Sequence, residues 1–475
     1  MRTRRELLRS VATVSAGVSL GARMAAQTAT APAAPATQTP KALRFGATRI
    51  GRRSDAEMAR WRANRLGQIL HFGLYSIVGG AWNGTSYDYA AEFIKETAKV
   101  SDADYNTLLT RFAPSRNAPA QWAAMAQEMG ARYVVITTKH HDGFCLWPSR
   151  HTDFSVAATP YKADFLGEYV AACDALGLDV MLYYSILDWH HPDWRYKITS
   201  AADEAAFTRL WQYSTNQLLE LLERYPMIKG FWFDGTWDDA VKSHGQWSYE
   251  LEQRLRAVNP DLVMGSRLRA DETGARHFDA NGRLMGDYEQ GWERKLPDKP
   301  LENDWECVMT VPENQWGYHA KWTGHVKDTN EILEMAVQSV AYGGNFVLNI
   351  GPMGTGEIRA EEQTLVREIG AWMRVNSEAI YECGPSGLAK QDWGFFTRHN
   401  ETRRVYAVVF NLPVSRVLKV ALPKTTAIKD AWILGGRGAA PVIERALPGD
   451  YRLHLDQRAP APTGPFVVAL EVRIG

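Results

Sequence analysis

Between residues 60 and 380 the chain alternates between short apolar runs and segments whose apolar residues return every three or four positions. The apolar runs predict strands over 66–73, 131–139, 179–185, 230–234, 261–267 and 344–351. Helical spacing covers 118–129, 164–176, 202–224, 248–258, 331–341 and 360–375. Repeated strand-then-helix units imply parallel strands joined by right-handed crossovers. So many units over roughly 300 residues favour a (β/α)8 TIM-like barrel over an open doubly wound sheet. No GxGxxG run opens any of the helices, which argues against a dinucleotide site. Two strands are poorly marked between 275 and 325, so the ring is expected to be distorted. Beyond about 384 the pattern changes. Short runs at 404–410, 417–422 and 466–472 lie between turn residues with no helical spacing among them, which predicts a C-terminal antiparallel β-sandwich. The expected division is a barrel over 42–383 and a sandwich over 384–475.

The first 41 residues follow neither pattern. Thr3-Arg4-Arg5-Glu6-Leu7-Leu8-Arg9 is close to a twin-arginine signal, a mildly apolar stretch covers 10–20, and small residues at 22–26 offer a cleavage site. Residues 1–26 therefore predict a signal peptide, and 27–41, rich in Ala, Thr and Pro, a linker. The apolar stretch is too short to span a membrane permanently, and the signal predicts export, so the expected location is the periplasm or the cell surface. Lys+Arg and Asp+Glu both number 54, which leaves no electrostatic footprint for nucleic acid. Four cysteines without CxxC spacing predict buried free thiols rather than a zinc site. Seventeen tryptophans fit either a sugar-stacking ligand site or a large core.

Chemistry gathers where the predicted strands stop. Gly230-Phe231-Trp232-Phe233-Asp234-Gly235 is an apolar run that ends in a carboxylate and a glycine. The run at 131–139 stops at His140-His141-Asp142-Gly143, and the run at 179–185 stops near Asp188-Trp189-His190-His191. A barrel collects such residues at one rim. His71, His140, His141, Tyr184, Trp189, His190, Asp234 and Arg267 all fall there. Hydrolysis of a glycosidic bond with retention needs two carboxyl groups, one to attack the anomeric carbon and one to protonate the leaving oxygen. Asp234 is the candidate nucleophile, with Trp232 projecting to the same side of its strand. Glu289 and Glu293, in Gly286-Asp287-Tyr288-Glu289-Gln290-Gly291-Trp292-Glu293, are candidates for the acid. Adjacent histidines on a strand point to opposite faces, so the pairs are not expected to grip one metal ion. Imidazoles bonded to sugar hydroxyls fit better, with one member of each pair packed as a rim residue.

These motifs resemble the α-L-fucosidases of glycoside hydrolase family 29. The resemblance rests on His71-Phe72-Gly73-Leu74-Tyr75-Ser76, Thr138-Lys139-His140-His141-Asp142-Gly143-Phe144, Tyr183-Tyr184-Ser185, Trp232-Phe233-Asp234-Gly235, Trp305-Glu306 and Gly343-Gly344-Asn345-Phe346-Val347-Leu348-Asn349-Ile350-Gly351-Pro352. It implies a retaining exo-α-L-fucosidase that acts on fucosylated glycans without metal or organic cofactor. It places the nucleophile on Asp234, sugar-binding histidines on His71, His140 and His141, and further pocket residues on Tyr184, Trp232 and Arg267. The acid/base, measured back from Pro297, falls on Glu293, with Glu289 as the fallback. Many members carry a Glu-Trp pair after the first strand. Here it is Ala81-Trp82, so Trp82 keeps the aromatic place and Glu92 is the candidate to supply the carboxylate. The alternatives are the same fold acting on a related sugar, such as an α-L-galactoside or a modified fucoside, or a catalytically silent sugar-binding protein. The sequence leaves the oligomeric state open.

Overall fold

The computed structural model describes residues 40–47, 54–436, 438–459 and 462–474. The expected signal peptide and nearly all of the expected linker lie outside them. The larger sheet has eight strands: β1 Leu66–Leu70, β2 Tyr133–Lys139, β3 Asp179–Ser185, β4 Gly230–Asp234, β5 Val263–Met264, β6 Glu289–Glu293, β7 Trp305–Thr310 and β8 Asn345–Ile350. Their order is β5-β4-β3-β2-β1-β8-β7-β6, and every ladder is parallel. The main helices are α1 Asp55–Asn64, α2 Ala118–Met129, α3 Phe165–Ala175, α4 Ala201–Arg224, α5 Gly245–Val258, α6 Thr329–Ala341 and α7 Ala360–Asn376. Helices α2 to α5 lead into β2 to β5, and α6 and α7 flank β8. This is the expected (β/α)8 barrel. Among the described residues no regular helix joins β5 to β6 or β6 to β7, which is the expected distortion.

Strand alternation divides the side chains between two cores. Ile69, Tyr133, Val135, Met181, Tyr183, Trp232, Val308 and Val347 fill the barrel interior. Their neighbours Val134, Ile136, Leu182, Phe231, Phe233 and Leu348 pack beneath the helices. Burial on both faces is why these strands read as unbroken apolar runs. Met58 and Trp61 of α1 join the interior core, with Trp61 stacked on Tyr288 at 4.7 Å.

The predicted strand over 261–267 shortens to β5, and the two ends of the sheet meet without a ladder. Asp287 N donates to Met264 O at 2.8 Å and Ser266 N to Tyr288 O at 2.9 Å, which closes the ring. The close crossing requires glycine. A Cβ on Gly286, whose φ is 91°, would lie 2.9 Å from the Gly265 carbonyl carbon. Leaving the pleat at Gly265 frees Arg267 to turn into the barrel mouth.

From Cys383 the chain is antiparallel. Strands β9 Cys383–Pro385, β10 Gly394–His399, β11 Val405–Val409, β16 Phe466–Ile474 and β13 Thr426–Ile433 form one sheet in that order. Strands β12 Val417–Ala421, β15 Asp450–His454 and β14 Val442–Leu447 form another. Val405, Ala407 and Val409 face the core shared with Leu418, Val420 and Leu453, while Tyr406 and Val408 face the barrel side. All four cysteines are buried and unpaired. No helix among the described residues is long and apolar enough to cross a membrane.

Candidate active site

Size does not identify the site. A cleft of about 960 Å³ between α6, α7 and the sandwich is lined mainly by apolar and single charged side chains. A much smaller cavity, about 90 Å³, opens at the C-terminal ends of the barrel strands. It is lined by His71, Glu92, Phe93, His140, His141, Tyr183, Trp232, Asp234, Trp237, Arg267, Glu293 and Trp316. The chemistry is concentrated here, where the barrel topology predicts it.

Strand β4 builds the floor. Trp232 and Asp234 turn inward while Phe231 and Phe233 turn to the helices. The chain then bends sharply at Gly235, φ 68°, where a Cβ would lie 2.5 Å from the Leu187 side chain. Asp234 is only 8% exposed, and both of its oxygens are bonded. Arg267 Nη1 donates to Oδ1 at 2.9 Å and the Tyr183 hydroxyl donates to Oδ2 at 2.8 Å. The other arm of the same guanidinium, Nη2, donates to Glu293 Oε2 at 2.7 Å. One arginine therefore holds both acids. Burial lowers the Arg267 pKa, but the charges of Asp234 and Glu293 outweigh it and raise the pKa above the ordinary value.

Glu289, the fallback acid, is not in the cavity. It lies at the opposite end of β6, where its oxygens accept from Asn303 Nδ2 at 2.9 Å and Trp292 Nε1 at 3.2 Å. A strand rises about 3.3 Å per residue, so four residues separate the two glutamates by most of the barrel's depth.

The three sequence-predicted histidines all line the cavity. Asn349 Nδ2 donates to Trp316 O at 2.8 Å, so Asn349 Oδ1, 2.7 Å from His71 Nδ1, is the acceptor and His71 Nδ1 carries the proton. The Ser185 hydroxyl donates to Leu187 O at 2.7 Å and so accepts from His141 Nδ1 at 2.6 Å. Each ring thus has an unprotonated Nε2. For His141 that atom is 3.8 Å from Asp234 Oδ2 and makes no hydrogen bond to it. Burial pushes the His71 pKa down to about 4 and those of His140 and His141 well below the usual value, so all three are neutral near pH 7. The expected splitting of His140 and His141 to opposite faces does not occur. Strand β2 ends at Lys139, the pleat is lost, and both imidazoles enter the cavity with centroids 4.2 Å apart. His190 and His191 instead pack on Phe154 and Tyr213, outside it.

Tyr184 also requires correction. It is fully buried on the outer face of β3, where its hydroxyl donates to Gln217 Oε1 at 2.7 Å. Its neighbour Tyr183 takes the pocket position. The register pairs Tyr183 with Trp232 and Ser185 with Asp234, so residues of one parity face inward on both strands. Trp82 is likewise outside the cavity, on a short hairpin, with its ring 6.3 Å from that of Tyr105. Glu92 lies inside. Its Oε2 accepts from Gly317 N at 2.8 Å, its Oε1 has no partner, and burial pushes its pKa up to about 7 against that hydrogen bond. Phe93 ends a short 3-10 helix beside Glu92, Trp237 lies in the loop three residues after Asp234, and Trp316 comes from a loop distant in sequence; none belongs to an apolar run that would mark it. Trp237, 39% exposed, stands edge-on to His141 at the mouth.

The α-L-fucosidase family model matches residues 34–378. The tissue α-L-fucosidases of Rattus norvegicus and Homo sapiens are each 27% identical, over 79% of this chain and 80% of their own length. A solved GH29 α-L-fucosidase from Bacteroides thetaiotaomicron is 46% identical with a TM-score of 0.88, covering 92% of this chain and 99% of its own. Another structure from that organism, a glutamate-to-glutamine mutant with 2-fluoro-fucosyl fluoride, holds a trapped covalent intermediate and has the same identity and TM-score. The match over most of the barrel is decisive, and the chain belongs to the α-L-fucosidase family, glycoside hydrolase family 29.

Proposed function

We propose that the protein removes terminal α-L-fucosyl residues from glycans with retention, using Asp234 as nucleophile and Glu293 as acid/base. The observation that carries this reading is the shared arginine. Two carboxyl groups on adjacent nitrogens of one guanidinium fit the separation of about 5–5.5 Å that retaining enzymes use better than the wider spacing of inverting ones. Asp234 attacks C1 as Glu293 protonates the departing oxygen, which leaves a glycosyl ester on Asp234. Glu293 then takes a proton from water, which attacks C1 and releases Asp234 as the carboxylate. Arg267 occupies Glu293 Oε2 in the free enzyme, so the bound sugar must draw Glu293 off the guanidinium before that oxygen can reach the leaving group. The neutral histidines present lone pairs to ring hydroxyls, and Phe93 and Trp316 offer apolar faces to the sugar. The small cavity supports an exo mode, with one ring held at a time.

Asp234→Ala tests the assignment. It should abolish nitrophenol release from an aryl α-L-fucoside, with partial recovery in azide. An undiminished rate would remove Asp234 from its role. The order of basic, apolar and small residues over 1–26 supports export to the periplasm, which the N-terminus of the mature protein would verify by mass spectrometry.

A further inference from the structure

One buried acid remains outside this scheme. Glu306 on β7 points into the barrel below the cavity and is 1% exposed. Its Oε1 accepts from Trp232 Nε1 at 2.9 Å and its Oε2 from the Tyr133 hydroxyl at 2.7 Å. Burying a carboxyl group inside a barrel is unfavourable, and a purely structural core would place an apolar residue there. Burial pushes its pKa up to about 7, opposed by the two donated hydrogen bonds and the charge of Arg267.

What Glu306 holds is the middle of a stack. The Arg267 guanidinium lies over the Trp232 ring at 4.7 Å. The Trp232 ring is stacked on Tyr183 at 5.3 Å and 15°. Tyr183 is stacked on His140 at 5.4 Å and 9°. These four planar groups come from consecutive strand ends, β2 through β5, and line one wall of the pocket. Tyr183 and Arg267 are also the two donors to Asp234. A rotation of the indole would therefore be felt at the nucleophile and, through Arg267, at Glu293. The hydrogen bond at Nε1 is the one directional contact that sets the rotation of the indole about its own plane, because stacking alone permits sliding.

We propose that Glu306 is a positioning residue for catalysis, which fixes the Trp232 indole and through it the orientation of Arg267 and Tyr183 around Asp234. The proposal rests on the reading of Asp234 and Glu293 given above. It acts on the arrangement of the reacting groups rather than on sugar contact, so its loss should appear in kcat and not in KM.

The test measures kcat and KM on an aryl α-L-fucoside, with active sites counted by trapping with 2-fluoro-fucosyl fluoride. Glu306→Leu should lower kcat per site at least tenfold with KM changed less than threefold. Glu306→Gln should restore kcat to within threefold of the parent. Its amide oxygen still accepts from Trp232, and Tyr133 can turn to Asn345 Oδ1, which has no partner. Tyr133→Phe, which removes the other hydrogen bond to Glu306, should leave kcat within threefold even if it lowers Tm. Should Glu306→Leu fail to fold, Trp232→Phe, which keeps a ring on Tyr183 but cannot donate, should show the same fall in kcat at nearly constant KM. The proposal is overturned if Glu306→Leu, or in its absence Trp232→Phe, keeps kcat within threefold. It is equally overturned if Glu306→Gln is as slow as Glu306→Leu. An inactive Asp234→Ala beside an active Glu306→Leu defeats this inference alone, whereas an active Asp234→Ala defeats the assignment beneath it.

Discussion

Tyr183 and Tyr184 are adjacent, chemically identical and equally buried, yet the structure gives them opposite consequences. Replacing each in turn by Phe removes one hydroxyl and little else. At Tyr183 the lost group is the donor to Asp234 Oδ2 at 2.8 Å. A hydrogen bond to a buried charged group contributes about 1.5–3 kcal/mol. On the proposed mechanism the bond is strongest when Asp234 is a free carboxylate and weakest when it is esterified to the sugar. It therefore stabilises the state that deglycosylation regenerates, and its loss should slow that second step more than the first. If most of that energy is expressed in the transition state, the step slows by roughly ten- to a hundred-fold, since each 1.36 kcal/mol is a factor of ten.

With a sufficiently good aryl leaving group the first step is fast, and deglycosylation is expected to limit turnover. Tyr183→Phe should then show a lower kcat, a lower KM because the intermediate accumulates, and kcat/KM within several-fold of the parent. A pre-steady-state burst of nitrophenol should become visible in stopped flow. At Tyr184 the lost bond is a neutral one to Gln217 on the outer face. Tyr184→Phe should cost about 0.5–1.5 kcal/mol of stability and leave kcat and KM unchanged. If Tyr184→Phe lost activity while Tyr183→Phe did not, the parity argument and the placement of β3 against β4 would both be refuted.

Three further outcomes follow from the same geometry. Glu293→Ala should slow fucosides with poor leaving groups by about 10²–10⁴-fold and those with activated leaving groups far less, whereas Glu289→Ala should show no dependence on leaving group in a panel of aryl fucosides. Glu92 has its pKa raised from 4.5 to about 7, so it bears no penalty below pH 4.5 and the full penalty of a buried charge above pH 7. Glu92→Gln should therefore add up to about 3 kcal/mol of stability above pH 7 and nothing below 4.5 in denaturant titrations. Behind the pocket Lys139 Nζ and Asp188 Oδ2 form a fully buried pair at 2.9 Å. Asp188→Asn should cost about 3–5 kcal/mol by stranding the lysine, read as a lowered Tm with the remaining folded enzyme still active.

The barrel was legible because β2, β3, β4 and β8 are covered on both faces, so each is a continuous apolar run that ends in polar residues. Strand β6 was not, because Glu289-Gln290-Gly291-Trp292-Glu293 has no apolar run and its register slips between Glu289 and Trp292. In the sandwich, β14 was invisible for a related reason, since it is an edge strand with most of its residues exposed. In the site, alternation along one strand correctly paired Trp232 with Asp234, but the face of a tyrosine on the next strand depends on register, which only the folded sheet defines. Counting back from Asp234 through that register reaches Ser185 and Tyr183, never Tyr184. Depth is a second quantity that pattern does not encode. Glu289 and Glu293 share one strand, one chemistry and the same partial burial, and what separates the acid outside the cavity from the one that lines it is four residues of rise toward the mouth. The same logic makes Glu306 intelligible. It lies inward but too deep to touch a sugar, and its hydrogen bond toward the site is the one to the indole above it.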